Sequence, residues 1–156
     1  MRALILAGGL GTRLRGVVSD RPKPMAEVQD RPFLLYLIEQ LKDQGFHDLV
    51  LCVGYRAAQV QDYLGDGGRW GVHIDYAVER ELLGTAGAMR NAREWIHGAF
   101  LVLNGDSYLD LDLRDLAARH GDNRRADATA LGTLAAVRME DAAAYRALEL
   151  GEGGRI

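Results

Sequence analysis

Five apolar residues, Ala3-Leu4-Ile5-Leu6-Ala7, run without a polar break and are followed at once by three glycines in four positions, Gly8-Gly9-Leu10-Gly11. A short uninterrupted apolar run reads as a strand covered on both faces, because a half-exposed strand would alternate with polar residues. Glycine at its exit lets the backbone take left-handed angles and come close to a bulky group. Successive N–H groups in such a turn form a nest for an anion. The opening residues therefore favour a parallel sheet with helices on both sides and an anion-accepting loop at a strand end.

The remaining pattern alternates in the same sense. Asp30-Arg31-Pro32 offers an N-cap and an early-helix proline ahead of Phe33-Leu34-Leu35-Tyr36-Leu37-Ile38-Glu39-Gln40-Leu41, which Gly45 closes. Strands are expected at Asp48–Val53, His73–Val78, 100–104 and 128–137, and helices at Ala57–Leu64, 85–95 and 111–120. Strands alternating with helices predict an α/β protein, a Rossmann-like three-layer sandwich with a mainly parallel central sheet. Right-handed crossovers then place every strand's carboxyl end along one edge, where ligands bind. No repeat or linker-like tract interrupts residues 1–156, so one domain is expected. Residues 145–150 have strand character, 151–154 read as a turn, and Arg155-Ile156 opens a second strand. A domain ending inside a hairpin predicts that the C-terminal portion of the fold is missing from this chain.

Charge and composition exclude several classes. The 156 residues carry 19 Lys and Arg against 22 Asp and Glu, a net of −3, so a general nucleic-acid-binding role is not expected. Cys52 is the single cysteine, which rules out an intrachain disulfide framework and a four-cysteine zinc site. It lies inside Leu49-Val50-Leu51-Cys52-Val53 and reads as a buried strand thiol. No apolar stretch approaches the roughly 20 residues of a membrane span. The N-terminus is too short and glycine-broken for a signal peptide, so a cytoplasmic location is expected. His47, His73, His97 and His120 share no metal-ligand spacing.

Two familiar phosphate loops do not fit the glycines. A dinucleotide fingerprint needs glycine at position 14, where Leu14 stands; a Walker loop needs Lys-Ser or Lys-Thr after Gly16, where Val17-Val18 stand. Instead, Arg13 and Lys23 follow within one loop segment. Lys23 lies between Pro22 and Pro24, which bias it toward an extended conformation. Lysine is scarce here, with only Lys23 and Lys42 beside 17 arginines. A stiffened lysine near an anion nest suits a transferring phosphoryl group, and Arg13 could hold a triphosphate by bidentate contacts.

Gly8-Gly9-Leu10-Gly11-Thr12-Arg13-Leu14-Arg15 with Pro22-Lys23-Pro24 resembles the signature of the sugar-1-phosphate nucleotidyltransferases. The likeness continues through Gly54-Tyr55, Leu83-Gly84-Thr85-Ala86-Gly87-Ala88 and Asn104-Gly105-Asp106, spanning about the first 110 residues. Val17-Val18-Ser19-Asp20 before Pro22-Lys23-Pro24-Met25-Ala26 resembles the branch that guanylylates a manno-heptose 1-phosphate, with the mannose 1-phosphate branch next. The resemblance implies the nucleotide-diphospho-sugar transferase fold and an enzyme that joins an NTP to a sugar 1-phosphate, releasing pyrophosphate. It implies nucleotide contacts at Leu6, Ala7, Gly8, Gly9, Gly11 and Thr12, with Glu79, Gly84 and Thr85 around the base. It implies catalytic roles for Arg13, Lys23 and Asp106, with Asp106 holding Mg²⁺, and it is compatible with a homo-oligomer. Read alone, Asp106 equally caps the turn after its strand.

Glu79 bears on the choice of base. An ionised carboxylate only accepts hydrogen bonds. Guanine offers two adjacent donors, whereas uracil and thymine set carbonyls beside their single N–H, so Glu79 favours GTP. Within Glu79-Arg80-Glu81 it equally reads as a solvated surface residue. Asp110, Asp112 and Asp115 read as a helix start favoured by the dipole, not as ligands. Tyr55 fits an active-site wall or the core equally well. A reading of a different class is a non-catalytic nucleotide-binding module, or a subunit completed by a partner.

Overall fold

The computed structural model describes residues 1–9, 21–137, 148, 149 and 151. Gly11, Thr12 and Arg13 lie outside the described residues, as does nearly all of the expected C-terminal hairpin. The chain divides into two compact units, Met1–Ala117 and Ala118–Ile156.

In the first unit, β1 (Ala3–Ala7) is followed by a 3-10 turn at Lys23–Met25 and a small hairpin of β2 (Glu27–Val28) and β3 (Arg31–Pro32). Then come α1 (Phe33–Asp43), β4 (Asp48–Val53), α2 (Ala57–Leu64), β5 (His73–Val78), α3 (Gly84–Asn91) and β6 (Leu101–Asn104). The main sheet has the order β5-β4-β1-β6, with every neighbouring pair parallel. β1 is central: Ile5 pairs with Leu51 on one side and Leu103 on the other. This explains its unbroken apolar run.

Alternation along β1 distributes its side chains between two cores. Ala3, Ile5 and Ala7 face a cluster with Leu34, Leu37, Ile38 and Leu41 of α1 and Val60 and Leu64 of α2. Leu4 faces the other way, with Val50, Cys52 and Ala77 of the sheet and Ala88 and Ala92 of the α3 region. Helices thus cover both faces, and the expected α/β arrangement holds.

Four local expectations are corrected. Asp30 does not cap α1: it lies in the β2–β3 turn at φ 60°, beside Gln29 at φ 51°, and Pro32 occupies the N-cap. Lys23 is not extended but opens the 3-10 turn, in which Met25 N–H donates to Pro22 and Ala26 N–H to Lys23. Pro24 fits there because the first turn requires no N–H from it. The helix expected over 85–95 is α3 followed by a separate 3-10 turn at Arg93–Trp95. The helix expected over 111–120 is α4, Leu113–Ala126. Asp112 caps it by accepting the N–H groups of Arg114 and Asp115, in keeping with a helix start.

The second unit contains the C-terminal part of α4 and a segment that is not the strand expected over 128–137. Arg124 donates to the carbonyls of Ala128 and Ala130, and Asp127 accepts both the N–H and the hydroxyl of Thr129. Such local bonds compete with a ladder, and the segment's Ala and Gly content supplies little strand preference. Leu131 is 95% exposed. No helix among the described residues is long and apolar enough to cross a membrane.

Candidate active site

Because β1, β4, β5 and β6 are parallel, Gly8, Gly54, Glu79 and Gly105 emerge together at the carboxyl edge. The exits are tightly packed. A Cβ on Gly54 would lie 2.9 Å from the Gly8 carbonyl oxygen, and one on Gly105 would lie 2.8 Å from that of Leu6. The obstacle in each case is backbone, so these two positions need glycine for the strand ends to converge.

Above them lies a pocket of about 380 Å³. Its floor is Leu6, Ala7, Gly8 and Gly9 from the end of β1. Gly84, Thr85 and Ala88 of α3 form one wall, with Glu79 and Leu82 just before that helix. Lys23, Pro24, Asn104 and Asp106 form the opposite wall. Leu6, Ala7, Gly8, Gly9, Lys23, Glu79, Gly84, Thr85 and Asp106, which the sequence pointed to, therefore line this one place.

Two charged features distinguish the walls. Lys23 Nζ donates to Asp106 Oδ2 at 2.5 Å, and Ser107 Oγ donates to Asp106 Oδ1 at 3.1 Å. The Lys23 bond is the main reason the Asp106 carboxyl is held below its ordinary range. The pair is partly open to solvent, with side-chain exposures of 33% and 40%. Opposite, the Glu79 carboxylate lies against Gly8: a Cβ there would be 2.6 Å from its Oε1. Its Oε2 accepts a long 3.4 Å bond from Leu83 N–H, its one side-chain hydrogen bond among the described residues.

Leu82 is 60% exposed and lines the pocket, yet nothing in its sequence context separates it from an ordinary surface leucine. Pro24, Ala88 and Asn104 lay within the recognised motifs without a role of their own. Tyr55 is neither core nor pocket lining. It is 36% exposed, and its hydroxyl accepts a bond from Arg56 Nε.

Glycines, a lysine and a carboxylate at the carboxyl edge of a parallel sheet define a class: an α/β protein with its candidate site at the strand exits. The chain belongs to the nucleotidyl transferase family, whose model matches residues 2–156. A D-glycero-alpha-D-manno-heptose 1-phosphate guanylyltransferase from Campylobacter jejuni is 43% identical over 116 residues, 74% of this chain and 52% of the relative. A mannose-1-phosphate guanyltransferase from Schizosaccharomyces pombe is 38% identical over 149 residues, 93% of this chain and 40% of the relative. Among solved structures, HddC from Yersinia pseudotuberculosis complexed with GMP-PN superposes with a TM-score of 0.70 at 40% identity, covering 78% of this chain and 54% of that one. The chain spans about half the length of the curated relatives it matches.

Proposed function

We propose that this chain is the nucleotide-binding part of a sugar-1-phosphate nucleotidyltransferase, one domain over residues 1–156. It joins GTP to a heptose- or mannose-type sugar 1-phosphate and releases pyrophosphate. The observation that carries the reading is the facing of two unlike charged walls across one pocket: the Lys23–Asp106 pair on one side and the Glu79 carboxylate on the other. Relatives named as guanylyltransferases support the choice of base and sugar.

The reaction is in-line attack of a sugar-phosphate oxygen on the α-phosphorus of the nucleotide. The attacking oxygen is already anionic, so positioning and charge neutralisation carry catalysis. Amides of residues 8–11 and Arg13 take the triphosphate. Lys23 takes the α-phosphate, turning an ammonium N–H from Asp106 toward the transition state. Leu6 and Ala7 line the nucleotide site, Thr12 joins in binding the nucleotide as the family resemblance implies, and Gly84 and Thr85 lie beside the base. Glu79 accepts from guanine N1–H and the 2-amino group.

The family also implies Mg²⁺. Among the described residues no group of three or more His, Cys, Asp or Glu side chains is arranged to hold a metal. Mg²⁺ needs only one or two carboxylates when phosphate oxygens and water complete its shell. Asp106, a hard donor at the pocket wall, fits that requirement. Bound there, the ion would neutralise triphosphate charge. Consuming a nucleoside triphosphate suits the cytoplasm.

Titration of GTP, ATP, CTP, UTP and dTTP with Mg²⁺ tests the reading. Selective GTP binding, abolished in Asp106→Ala and made less selective in Glu79→Gln, supports it. Equal binding of all five, or unchanged selectivity in Glu79→Gln, removes Glu79 as the reader of the base. The second reading, a non-catalytic module or partner-completed subunit, draws on the half-length match to the relatives. GTP binding without turnover on either sugar phosphate would favour it.

A further inference from the structure

The residues after Asp106 have no secondary structure until α4 begins, so their backbone groups need partners elsewhere. Two glutamines of the α1 region supply them. Gln40 Nε2 donates to the Leu109 carbonyl at 2.7 Å, and Gln44 Nε2 donates to that of Leu111 at 3.0 Å. Gln44 Oε1 also accepts the Leu113 N–H at 2.6 Å, at the first residue of α4.

The spacing is a geometric match. Four residues of helix rise about 6 Å, and two residues of extended chain advance about 6.6 Å with their carbonyls on the same side. Side chains at 40 and 44 therefore meet carbonyls at 109 and 111 in register. The same helix also grips the other arm of the pocket, since Phe33 N–H, at the start of α1, donates to the Ala26 carbonyl just past the Lys23 turn at 2.9 Å. One rigid element thus holds both halves of the Lys23–Asp106 pair.

We infer that Gln40 and Gln44 are positioning residues for Asp106: by tying residues 107–112 to α1, they hold its carboxylate at the pocket wall beside Lys23. The inference rests on the proposed nucleotide and metal site. It adds that the metal-dependent part of nucleotide affinity is set from α1, by residues that line no part of the pocket.

The test uses the ligand-free chain and then GTP, with Gln40→Leu, Gln44→Leu and Gln40→Lys, the last retaining an N–H donor. Amide hydrogen exchange at the hydrogen-bonded Ser107 and Leu113 N–H groups, which report the opening of this segment, is expected to quicken about five- to ten-fold in the leucine variants, the scale of one lost hydrogen bond. The gain in GTP affinity on adding Mg²⁺ over EDTA should shrink about five- to ten-fold, with the EDTA affinity unchanged. Gln40→Lys should restore both. Faster exchange with an undiminished Mg²⁺ gain would make the glutamines clamps without a positioning role, and unchanged exchange would remove even the clamp. Should Gln44→Leu not fold, the two Gln40 variants decide alone. Failure of the unmodified chain to bind GTP overturns the functional reading and this inference with it. A failure seen only in the variants overturns this inference alone.

Discussion

The two faces of the sheet are built from different stock. Toward α1 and α2, the sheet buries Ile5, Leu49 and Leu51 against Leu34, Leu37, Ile38 and Leu41, all fully inaccessible. Toward α3 the buried helix-side partners are small, Ala88 and Ala92, set against Leu4, Val50, Cys52 and Ala77 of the sheet. Burial of large aliphatic side chains supplies most of the hydrophobic stabilisation, so the first face anchors the fold. Small side chains let α3 lie close to the sheet, and its first residues, Gly84 and Thr85, reach the pocket. Stability and ligand space are therefore separated across one layer of strands.

Four outcomes would break or sharpen this contrast. The largest belongs to neither face: Lys23→Ala should lower turnover about 10²–10³-fold, with little change in GTP affinity or unfolding midpoint. Near-normal kcat would refute the role of Lys23. Leu37→Ala, on the anchoring face, should cost about 2–5 kcal/mol in denaturant unfolding. GTP affinity measured well below its midpoint should stay as it was. Ala88→Leu, on the α3 face, should cost about 1–3 kcal/mol by overpacking, yet weaken GTP binding far more than Leu37→Ala does. If the Leu37 variant weakens binding more, the division of labour is wrong.

The last effect, confined to alkaline pH, is read at Cys52, whose thiol is pushed up to about 12, chiefly by burial and then by the Glu79 charge. Its unfolded counterpart loses the proton near 8.5, so the unfolded chain binds fewer protons between those values. Stability should fall as pH rises from about 9 toward 12, a slope that Cys52→Ala flattens. Tyr76, also raised to about 12 by burial, leaves part of that slope in place.

What was legible from sequence followed the strength of the local pattern. β1 and β4 are short apolar runs with glycine or polar stops, buried along nearly their whole length, and α1 carries its buried leucines and Ile38 at helical spacing. The pocket was legible because Gly8, Glu79 and Asp106 follow strand ends, which parallel topology gathers together, and Lys23 lies in the motif that follows the first of them. The β2–β3 hairpin was hidden because its turn uses Gln29 and Asp30 at positive φ, where Asn and Gly are the usual signal. Gln40 and Gln44 look like the solvated side of a helix, and only the path of residues 107–112 shows otherwise. The segment over 128–137 misled because its alanines allow a strand without requiring one.

The Lys23–Asp106 pair has a practical corollary in a chain with only two lysines. Lys42 lies on α1, 3.5 Å from Asp43 and away from the pocket. An amine-directed label with an anionic head, such as a phosphorylated aldehyde, would have one lysine inside the cleft to condense with and one outside it. The ratio of label on the two after borohydride trapping turns the occupancy of the cleft into a peptide-mass readout, with Lys42 as the built-in reference.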